Sequence, residues 1–300
     1  MSILYLISGF VLLLLGGDAL VNSAVSIAKR LKVSALIIGI VLVGFGTSLP
    51  ELFTSLQANI KGVPGIAIGN VIGSNIANIL LVAGAGALLM PMTLSTRDSL
   101  RDGGVLILAT AGFAYSAITG IITAEMGYIF MLSILGYIGY VLWSSRKSKQ
   151  PVEIEIDTQD DHNSTLHMLI FYTFAGIALT VIGADYLVRG ASDIARNFGI
   201  SETIIGLTIV AIGTSLPELM TAIIAGLKGE ADLSLGNILG SNIYNILAIL
   251  GVTAIVKPLP IAASILQFDL WGYDCSHAIY RRHTLYHKDY ESLDGINFAW

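Results

Sequence analysis

The amino-acid sequence predicts an all-α polytopic membrane protein, and two observations carry that prediction. Of the 300 residues, 54% are hydrophobic and only 12% are charged, and the mean hydropathy is +0.77. Values this apolar lie outside the usual range of water-soluble domains. The apolar residues also fall in stretches of about 20 residues or more, which is the length that an α-helix needs to cross a bilayer. The lipid bilayer is therefore an expected partner, whereas the net charge of −5 gives no indication of nucleic acid.

Candidate spans follow one another along the chain at 3–26, 34–60, 66–90, 103–122, 125–143, 167–189, 202–227 and 232–256. The first has no small-residue cleavage site with a polar flank, so it is a span and not a signal peptide. The single cysteine, Cys275, excludes an intramolecular disulfide and a cysteine-rich metal site.

Basic residues in the short loops predict which side of the membrane each loop faces. Lysine and arginine follow spans one, three and five, whereas the opposite loops of this half carry only Lys61. The positive-inside rule then places the N-terminus outside the cell and residues 144–166 in the cytoplasm. We expect a multi-pass protein of the cell (inner) membrane.

The hexapeptide Gly-Thr-Ser-Leu-Pro-Glu occurs twice, at 46–51 and at 213–218, each time within an apolar stretch. An ionised carboxylate is expensive in hydrocarbon, so an intramembrane glutamate that recurs in the same context predicts cation binding. We also expect each proline to break its helix one residue before the glutamate and to free backbone carbonyl groups. A broken helix, hydroxyl groups and a carboxylate together would form an oxygen-rich site.

The same spacing of 167 residues aligns much more than the hexapeptide. Between residues 18 and 91 no gap is needed and nearly half of the paired positions are identical, including Gly-Ser-Asn-Ile at 73–76 and 240–243. Such self-similarity indicates internal duplication. Each unit would contain five spans, and an odd number makes equivalent helices run in opposite directions. This is the inverted-repeat plan of secondary transporters, which bind their substrates near the bilayer midplane.

A second polar segment occurs in each repeat. Its polar residues are spaced i, i+4, i+8 and so form one helical stripe; they are Asn70, Ser74 and Asn78, repeated as Asn237, Ser241 and Asn245. The predicted cavity offers carboxylate, hydroxyl and amide groups but no histidine or cysteine. All-oxygen ligation selects hard cations, above all sodium and calcium. Two glutamates balance one Ca²⁺ or two Na⁺, and both species at once would repel each other in a low-dielectric cavity.

Some of these polar residues have a structural alternative. A serine or threonine in a membrane helix commonly bonds its own i−4 carbonyl group, and Asn70 and Asn237 are equally suited to joining helices. Asp18 and Asp185 receive no transport role, because Arg189 stands four residues after Asp185 and favours an ion pair. The acidic residues of the 144–166 linker are interpreted as a solvated tether, with a calcium-sensing cluster as the alternative.

The paired Gly-Thr-Ser-Leu-Pro-Glu and Gly-Ser-Asn-Ile-x-Asn segments resemble the two alpha-repeats of the calcium/cation antiporter superfamily, specifically the prokaryotic sodium/calcium exchangers, over about residues 1–260. The resemblance implies an exchanger fold of five plus five helices, with spans one and six sliding across the other eight. It implies exchange of Ca²⁺ for Na⁺ without a cofactor or enzymatic chemistry, by a chain expected to be a monomer. It also implies the cation ligands, which are the side chains of Glu51, Glu218, Thr47, Ser48, Thr214, Ser215, Ser74, Ser241, Asn78 and Asn245 and the carbonyl groups of Gly44 and Ala211.

Asn245 departs from the family pattern, since some sodium-coupled members have aspartate at this position. A proton-coupled calcium exchanger is therefore the first alternative. A cation channel fits an inverted duplicate poorly. An intramembrane enzyme would lack a histidine or lysine base to activate Ser48 or Ser215.

The last 29 residues, 272–300, form a polar tail that could not cross a bilayer, although the repeat spacing places spans nine and ten at 270–289 and about 292–310. The predicted divisions are thus 1–143 for the first half, 144–166 for the linker, 167–271 for the second half, with spans six to eight and the start of nine, and 272–300 for the tail. An exchanger without spans nine and ten is expected to pack less well and could be inactive.

We hypothesise that the reading frame shifts near Trp271. Tyrosine, histidine, asparagine and aspartate codons, which are frequent in the tail, encode isoleucine, methionine or threonine when they are read one base later. A gene whose shifted frame contains no apolar segment of span length would refute this hypothesis. The alternative is a zinc-binding tail, for which Cys275, His277, His283 and His287 lack a recognisable ligand spacing.

Overall fold

The computed structural model describes residues 1–92, 95–147, 165–201, 205, 208–209 and 211–261. Within these ranges the chain is almost entirely helical, which confirms the all-α prediction. The helices are α1 (Ser2–Leu31), α2 (Ala35–Ile38), α3 (Phe45–Thr47), α4 (Leu49–Ile60), α5 (Pro64–Ala77), α6 (Ala83–Leu89), α7 (Thr96–Thr119), α8 (Ala124–Lys147), α9 (Leu166–Asn197), α10 (Ala211–Thr214), α11 (Leu216–Leu227), α12 (Ala231–Tyr244) and α13 (Leu250–Val256).

Six helical segments of the described chain are long and apolar enough to cross a membrane. They are Ser2–Leu31, Pro64–Leu89, Arg97–Thr119, Ala124–Ser145, Leu166–Asn197 and Ala231–Val256. The pair Ala35–Thr47 and Leu49–Ile60 forms a seventh if its 42° bend is taken as a break within one span. These segments match predicted spans one to six and eight. The predicted span at 202–227 is described only in part, as α10 and α11.

Each hexapeptide breaks its helix at the serine. Ser48 (φ −83°, ψ 4°) separates α3 from α4, and Ser215 (φ −89°, ψ 5°) separates α10 from α11. Pro50 and Pro217 lie in the first turn of the helix that follows. The predicted break at the proline, one residue before each glutamate, is wrong. Each break lies two residues earlier, at the serine, because proline fits the first turn of the helix that begins after the break.

Several of the described helical segments contain a π-helical turn, among them Gly39–Gly44, Asn78–Val82 and Asn245–Ile249. The second and third begin at asparagines that the repeat makes equivalent. Turns of this kind are rare and occur frequently at functional sites. They therefore direct attention to the same residues as the sequence motifs do.

The two longest helices, α1 and α9, are equivalent in the two repeats and pack against each other through glycines. A Cβ atom at Gly16 would lie 2.7 Å from the backbone nitrogen of Thr180, and one at Gly9 would lie 2.7 Å from the carbonyl oxygen of Gly183. Only glycine permits so close an approach of two helical backbones, as is common for membrane helices. The two halves are thus joined along the full length of these helices.

Helix α12 lies at the centre of the described structure, and every residue from Leu233 to Tyr244 is buried. It crosses the segment around Leu36 so closely that a Cβ atom at Gly236 would lie 2.2 Å from the Leu36 carbonyl oxygen. The second polar segment of the sequence is therefore held inside the helix bundle.

Two short strands, β1 (Ile121–Ile122) and β2 (Leu259–Pro260), pair antiparallel and join the ends of α7 and α13. Residues 262–300 lie outside the described part, so the predicted altered spans and the tail 272–300 stay predictions. Helix α8 continues to Lys147, and most of the predicted linker 144–166 also lies outside the described residues.

Candidate functional site

The two glutamates of the hexapeptides come together inside the bundle. Glu51 lies in the first turn of α4 and Glu218 in the first turn of α11, and each is only 1% exposed. Their carboxyl groups are close enough to repel each other electrostatically, although 167 residues separate them along the chain. Within the described ranges neither carboxyl group contacts a lysine, arginine or histidine. The pair is therefore buried without a basic neutralising partner.

Buried oxygen atoms without a hydrogen-bond partner in the described structure accompany the two glutamates. Six of them form three pairs related by the repeat, Oε2 of Glu51 and Glu218, Oγ of Ser48 and Ser215, and Oδ1 of Asn78 and Asn245, whereas Asn59 Oδ1, Ser234 Oγ and Thr253 Oγ1 have no such counterpart. A buried polar atom left without a partner costs about 1–3 kcal/mol, and such atoms are rare in folded proteins. Their recurrence in equivalent places indicates a cation that would accept their lone pairs.

The other predicted hydroxyl ligands are already hydrogen-bonded or lie against a carboxyl group. Thr47 Oγ1 donates to the Val43 carbonyl oxygen at 3.1 Å and lies 3.1 Å from Asn237 Oδ1. The first of these contacts is the i−4 bond of the structural alternative. Thr47 and Ser48 both lie next to the Glu218 carboxyl group, and Ser74 lies next to that of Glu51.

The predicted carbonyl ligands differ between the repeats. The Gly44 carbonyl oxygen accepts a hydrogen bond from Ser48 N at 3.2 Å and one from Ser241 Oγ at 3.4 Å. In the second repeat Ser215 N donates to the Ile212 carbonyl oxygen at 3.1 Å. Ala211 and Thr214 are the first and last residues of α10.

Asn70 and Asn237 fasten the helices that carry the glutamates. Asn70 Nδ2 donates to the Glu51 carbonyl oxygen at 3.2 Å and to Ser55 Oγ at 3.0 Å. Asn237 Nδ2 makes the equivalent contact with the Glu218 carbonyl oxygen at 3.5 Å. Both amides thus serve as contacts between helices, which was one of the two interpretations of their sequence pattern.

Two further asparagines, Asn75 and Asn242, link the repeats and were not singled out from the sequence. Asn245 Nδ2 donates to Asn75 Oδ1 at 2.8 Å, and Asn78 Nδ2 donates to Asn242 Oδ1 at 3.4 Å. The only sequence signal was their identity in the duplicated Gly-Ser-Asn-Ile segment.

The intramembrane aspartates lie apart from these contacts. Asp185 forms the predicted ion pair with Arg189, with 2.8 Å between Oδ2 and Nε. Asp18 instead contacts Lys228 and Asn22. Both aspartates are about half exposed, in contrast to the buried glutamates.

The internally duplicated helices and the paired intramembrane glutamates are those of an inverted-repeat membrane transporter. A family model described as sodium/calcium exchanger protein matches residues 1–146 and 168–280. The chain belongs to this family, which confirms the resemblance seen in the sequence motifs.

Individual relatives agree with this assignment. CaxA of Alkalimonas amylolytica is 41% identical over 257 residues, which cover 85% of this chain and 81% of the relative. The sodium/calcium exchanger MaX1 of Methanosarcina acetivorans is 34% identical over 302 residues, covering 89% and 86%. Among solved structures, the sodium-calcium exchanger NCX_Mj soaked with Na⁺ and Ca²⁺ superimposes with a TM-score of 0.79 at 28% identity, covering 93% of this chain and 90% of that one.

Proposed function

We propose that this protein exchanges Ca²⁺ for Na⁺ across the membrane by alternating access to a site between its two repeats. One observation carries the proposal: Glu51 and Glu218 are both buried, their carboxyl groups are close enough to interact electrostatically, and each has a carboxylate oxygen without a partner in the described structure. An intramembrane acid is costly and is usually functional. Here the cost is offset when a cation is bound.

The chemistry of the surrounding groups supports the choice of ions. Carboxylate, hydroxyl and amide oxygens suit hard cations such as Ca²⁺ and Na⁺. Two ionised glutamates neutralise one Ca²⁺ or two Na⁺, so either load leaves the cavity without net charge. Ser48, Ser215, Asn78 and Asn245 would complete the shell with their unpartnered oxygens. Binding the two loads in turn is the minimum that coupled exchange requires.

The similar proteins support the same ions, since MaX1 is named a sodium/calcium exchanger and NCX_Mj a sodium-calcium exchanger. We further propose that the chain lies in the cell membrane as a monomer with its N-terminus outside, and that it needs no cofactor beyond the ions it carries. The distribution of basic residues in the first half supports this orientation.

The test is calcium-45 uptake by proteoliposomes that contain the full 300-residue chain and are loaded with Na⁺. We expect an outward Na⁺ gradient to drive uptake, and Glu51→Gln or Glu218→Gln to abolish it while leaving membrane insertion intact. Glu125→Gln is the matched control, because that carboxylate is solvent-exposed at the start of α8. Sodium-driven flux that persists in both glutamine variants would rule out the proposed site.

Proton/calcium exchange is the second candidate, and Asn245 is the observation that favours it. An asparagine where some sodium-coupled relatives have aspartate removes one carboxylate from the site. The same vesicles decide between the two, because a pH gradient imposed without Na⁺ would then drive calcium-45 uptake and a Na⁺ gradient would not. Uptake driven by either gradient also excludes the alternative of an inactive chain.

A further inference from the structure

We infer that Asn75 and Asn242 are positioning residues for the cation site, an inference that rests on the proposed function. Asn75 Oδ1 accepts from Asn245 Nδ2 at 2.8 Å, and Asn242 Oδ1 accepts from Asn78 Nδ2 at 3.4 Å. Each contact joins one repeat to the other. The two contacts are equivalent, because Asn78 corresponds to Asn245 and Asn75 to Asn242 at the repeat spacing of 167 residues. The same device is thus built twice.

An amide held through its nitrogen presents its oxygen away from the group that holds it. The Oδ1 atoms of Asn78 and Asn245 are both buried without a hydrogen-bond partner in the described part of the chain. Asn75 is itself fixed, because its Nδ2 donates to the Asn242 carbonyl oxygen at 3.2 Å. Asn75 and Asn242 therefore orient two oxygen ligands and supply none themselves.

A double-mutant cycle on calcium-45 binding to the detergent-solubilised full chain tests this role. We expect Asn75→Leu to weaken calcium binding about tenfold, the effect of one lost hydrogen bond. When Asn245→Ala is already present, Asn75→Leu should have no further effect. The mirrored cycle uses Asn242→Leu and Asn78→Ala. Additive losses in both cycles would overturn the inference, because the asparagines would then act independently.

Asn59→Leu is the control for the loss of a buried amide. Asn59 Nδ2 donates to the carbonyl oxygens of Thr253 and Lys257 at the end of α13, at 3.1 and 2.6 Å. Its replacement should lower thermal stability and leave calcium affinity within about twofold. A wild-type chain that binds no calcium would instead overturn the proposed function, which keeps the two failures distinct.

A second inference comes from a difference between the two repeats. Helix α1 packs on α11, where Gly17 faces Ile224 and where Met220 and Ile224 are 8% and 7% exposed. The equivalent residues of α4 are Phe53, which is 60% exposed, and Gln57, which is also exposed. Among the described residues, α9 makes no comparable contact with α4. Helix α11 is therefore packed against α1, whereas the equivalent face of α4 is exposed.

Ion pairs follow the same asymmetry. Lys228, at the end of α11, contacts Asp18 on α1. The residues at the equivalent positions of the repeat are Lys61, which corresponds to Lys228, and Asp185, which corresponds to Asp18. Asp185 is instead paired with Arg189 on its own helix, and Lys61 is exposed and has no ion pair with any residue that the structure describes.

We propose that Asp18–Lys228 and Asp185–Lys61 are two latches that close in turn on opposite sides of the membrane. In an inverted-repeat transporter access switches when one repeat moves against the other around a fixed site, and the symmetry of the repeats lets each adopt the arrangement now seen in the other. Asp185 would then leave Arg189 for Lys61 while Asp18 releases Lys228. Exposed ion pairs are weak, so each latch would bias the ratio of the two states by up to about fivefold. A bias of this size still permits turnover.

Disulfide cross-linking tests the latches in a background in which the single cysteine is replaced, Cys275→Ser. One variant carries Asp18→Cys with Lys228→Cys, a second carries Lys61→Cys with Asp185→Cys, and a third carries all four. Free thiols are counted by maleimide labelling after mild oxidation of proteoliposomes in Na⁺, in Ca²⁺ or in neither. We expect both disulfides to form, each to stop transport until it is reduced, and the four-cysteine chain to form one of them but not both.

The control is Ser23→Cys with Thr173→Cys. These hydroxyl groups join α1 to α9 at 2.8 Å, so their disulfide should form under every ion condition and leave transport unchanged. Both disulfides within one molecule, or none at 61–185 in a chain that transports, would overturn the proposal. Thiol counts do not depend on which ion drives transport, so this outcome is separable from a failure of the proposed function.

Discussion

Ser48 and Ser215 differ from the other buried hydroxyl residues of the helices. Thr110 and Thr173 donate to the carbonyl oxygen four residues earlier, at 2.8 and 2.9 Å, as hydroxyls in apolar helices usually do. The two serines stand at helix breaks and donate to no backbone carbonyl group: Ser215 Oγ has no partner in the described structure, and Ser48 lies against the Glu218 carboxyl group. Their hydroxyls are therefore available to a ligand in a way that most buried hydroxyls are not.

Because of this difference, alanine substitutions of the two serines should weaken calcium binding and leave the stability of the fold nearly unchanged. Ser48→Ala or Ser215→Ala should weaken apparent calcium affinity about tenfold, by the loss of one ligand contact. The free energy of unfolding should change by less than about 0.5 kcal/mol, because neither hydroxyl group bonds to the backbone. Calcium-dependent flux and thermal unfolding in detergent measure the two quantities.

Thr173→Val is the control for that experiment. It removes bonds to the Leu169 carbonyl oxygen and to Ser23 Oγ, so it should destabilise the protein by about 1 kcal/mol without changing calcium affinity. Serine variants that lose stability but keep their affinity would show that the hydroxyls are structural.

At the scale of helices, glycine determines how closely α12 approaches the first half. Gly39 and Gly236 face each other at this crossing, and each would place a Cβ atom against the backbone of the other helix. Apolar solvent supplies no hydrophobic force between membrane helices, so close backbone packing is a main source of their association. The crossing carries Asn237 and Ser241 to their positions beside Thr47.

Gly236→Ala should therefore destabilise the protein by about 1–3 kcal/mol, the usual effect of adding a methyl group to a filled core. Thermal unfolding in detergent measures the change. Gly136→Ala is the matched control: Gly136 also lies within a helix, but nothing lies within 4 Å of the added Cβ. Equal stability of the two alanine variants would contradict the crossing seen here.

For the whole molecule, a cation bound between the repeats should stabilise the folded state. Calcium at about 100 times its dissociation constant should add about 2.7 kcal/mol to the free energy of unfolding. The added stability should disappear in Glu51→Gln and Glu218→Gln, and saturating Na⁺ should remove the calcium dependence by competition. Thermal shifts of the purified full chain measure both effects. A calcium-induced shift that survives in both glutamine variants would place the ion elsewhere.

The orientation of the whole chain is a separate prediction. In the Cys275→Ser background, Ser2→Cys should react with a membrane-impermeant thiol reagent added to intact cells. Ser145→Cys, near the end of α8, should react only after the cells are made permeable. The physical reason is the concentration of lysine and arginine in the loops that follow spans one, three and five. Labelling in the reverse order would invert the proposed topology.

Most of the helices and the duplication could be predicted from the sequence, because they depend on local properties. A bilayer requires apolar stretches of fixed length, and the duplicated hexapeptide places a costly carboxylate at the same point of each repeat. These features identified the family and directed attention to Glu51 and Glu218 before any contact was known. The break at Ser48 was misplaced by two residues because proline is compatible with the first turn of a helix as well as with its interruption.

Contacts between the repeats were decided only by the tertiary structure. Thr47 and Ser48 are neighbours in one motif, yet Thr47 bonds to the Val43 carbonyl group of its own helix, whereas Ser48 lies against Glu218 of the other repeat. Asn75 and Asn242 link the repeats through hydrogen bonds. Phe53 and Met220 are apolar residues at equivalent positions of the two repeats, yet the first is exposed and the second is buried. The physical reason is that the hydrogen bonds and burial of these side chains depend on how helices far apart in the chain approach one another. A repeated sequence describes both halves alike, whereas the structure packs them differently, as the burial of Met220 and the exposure of Phe53 show.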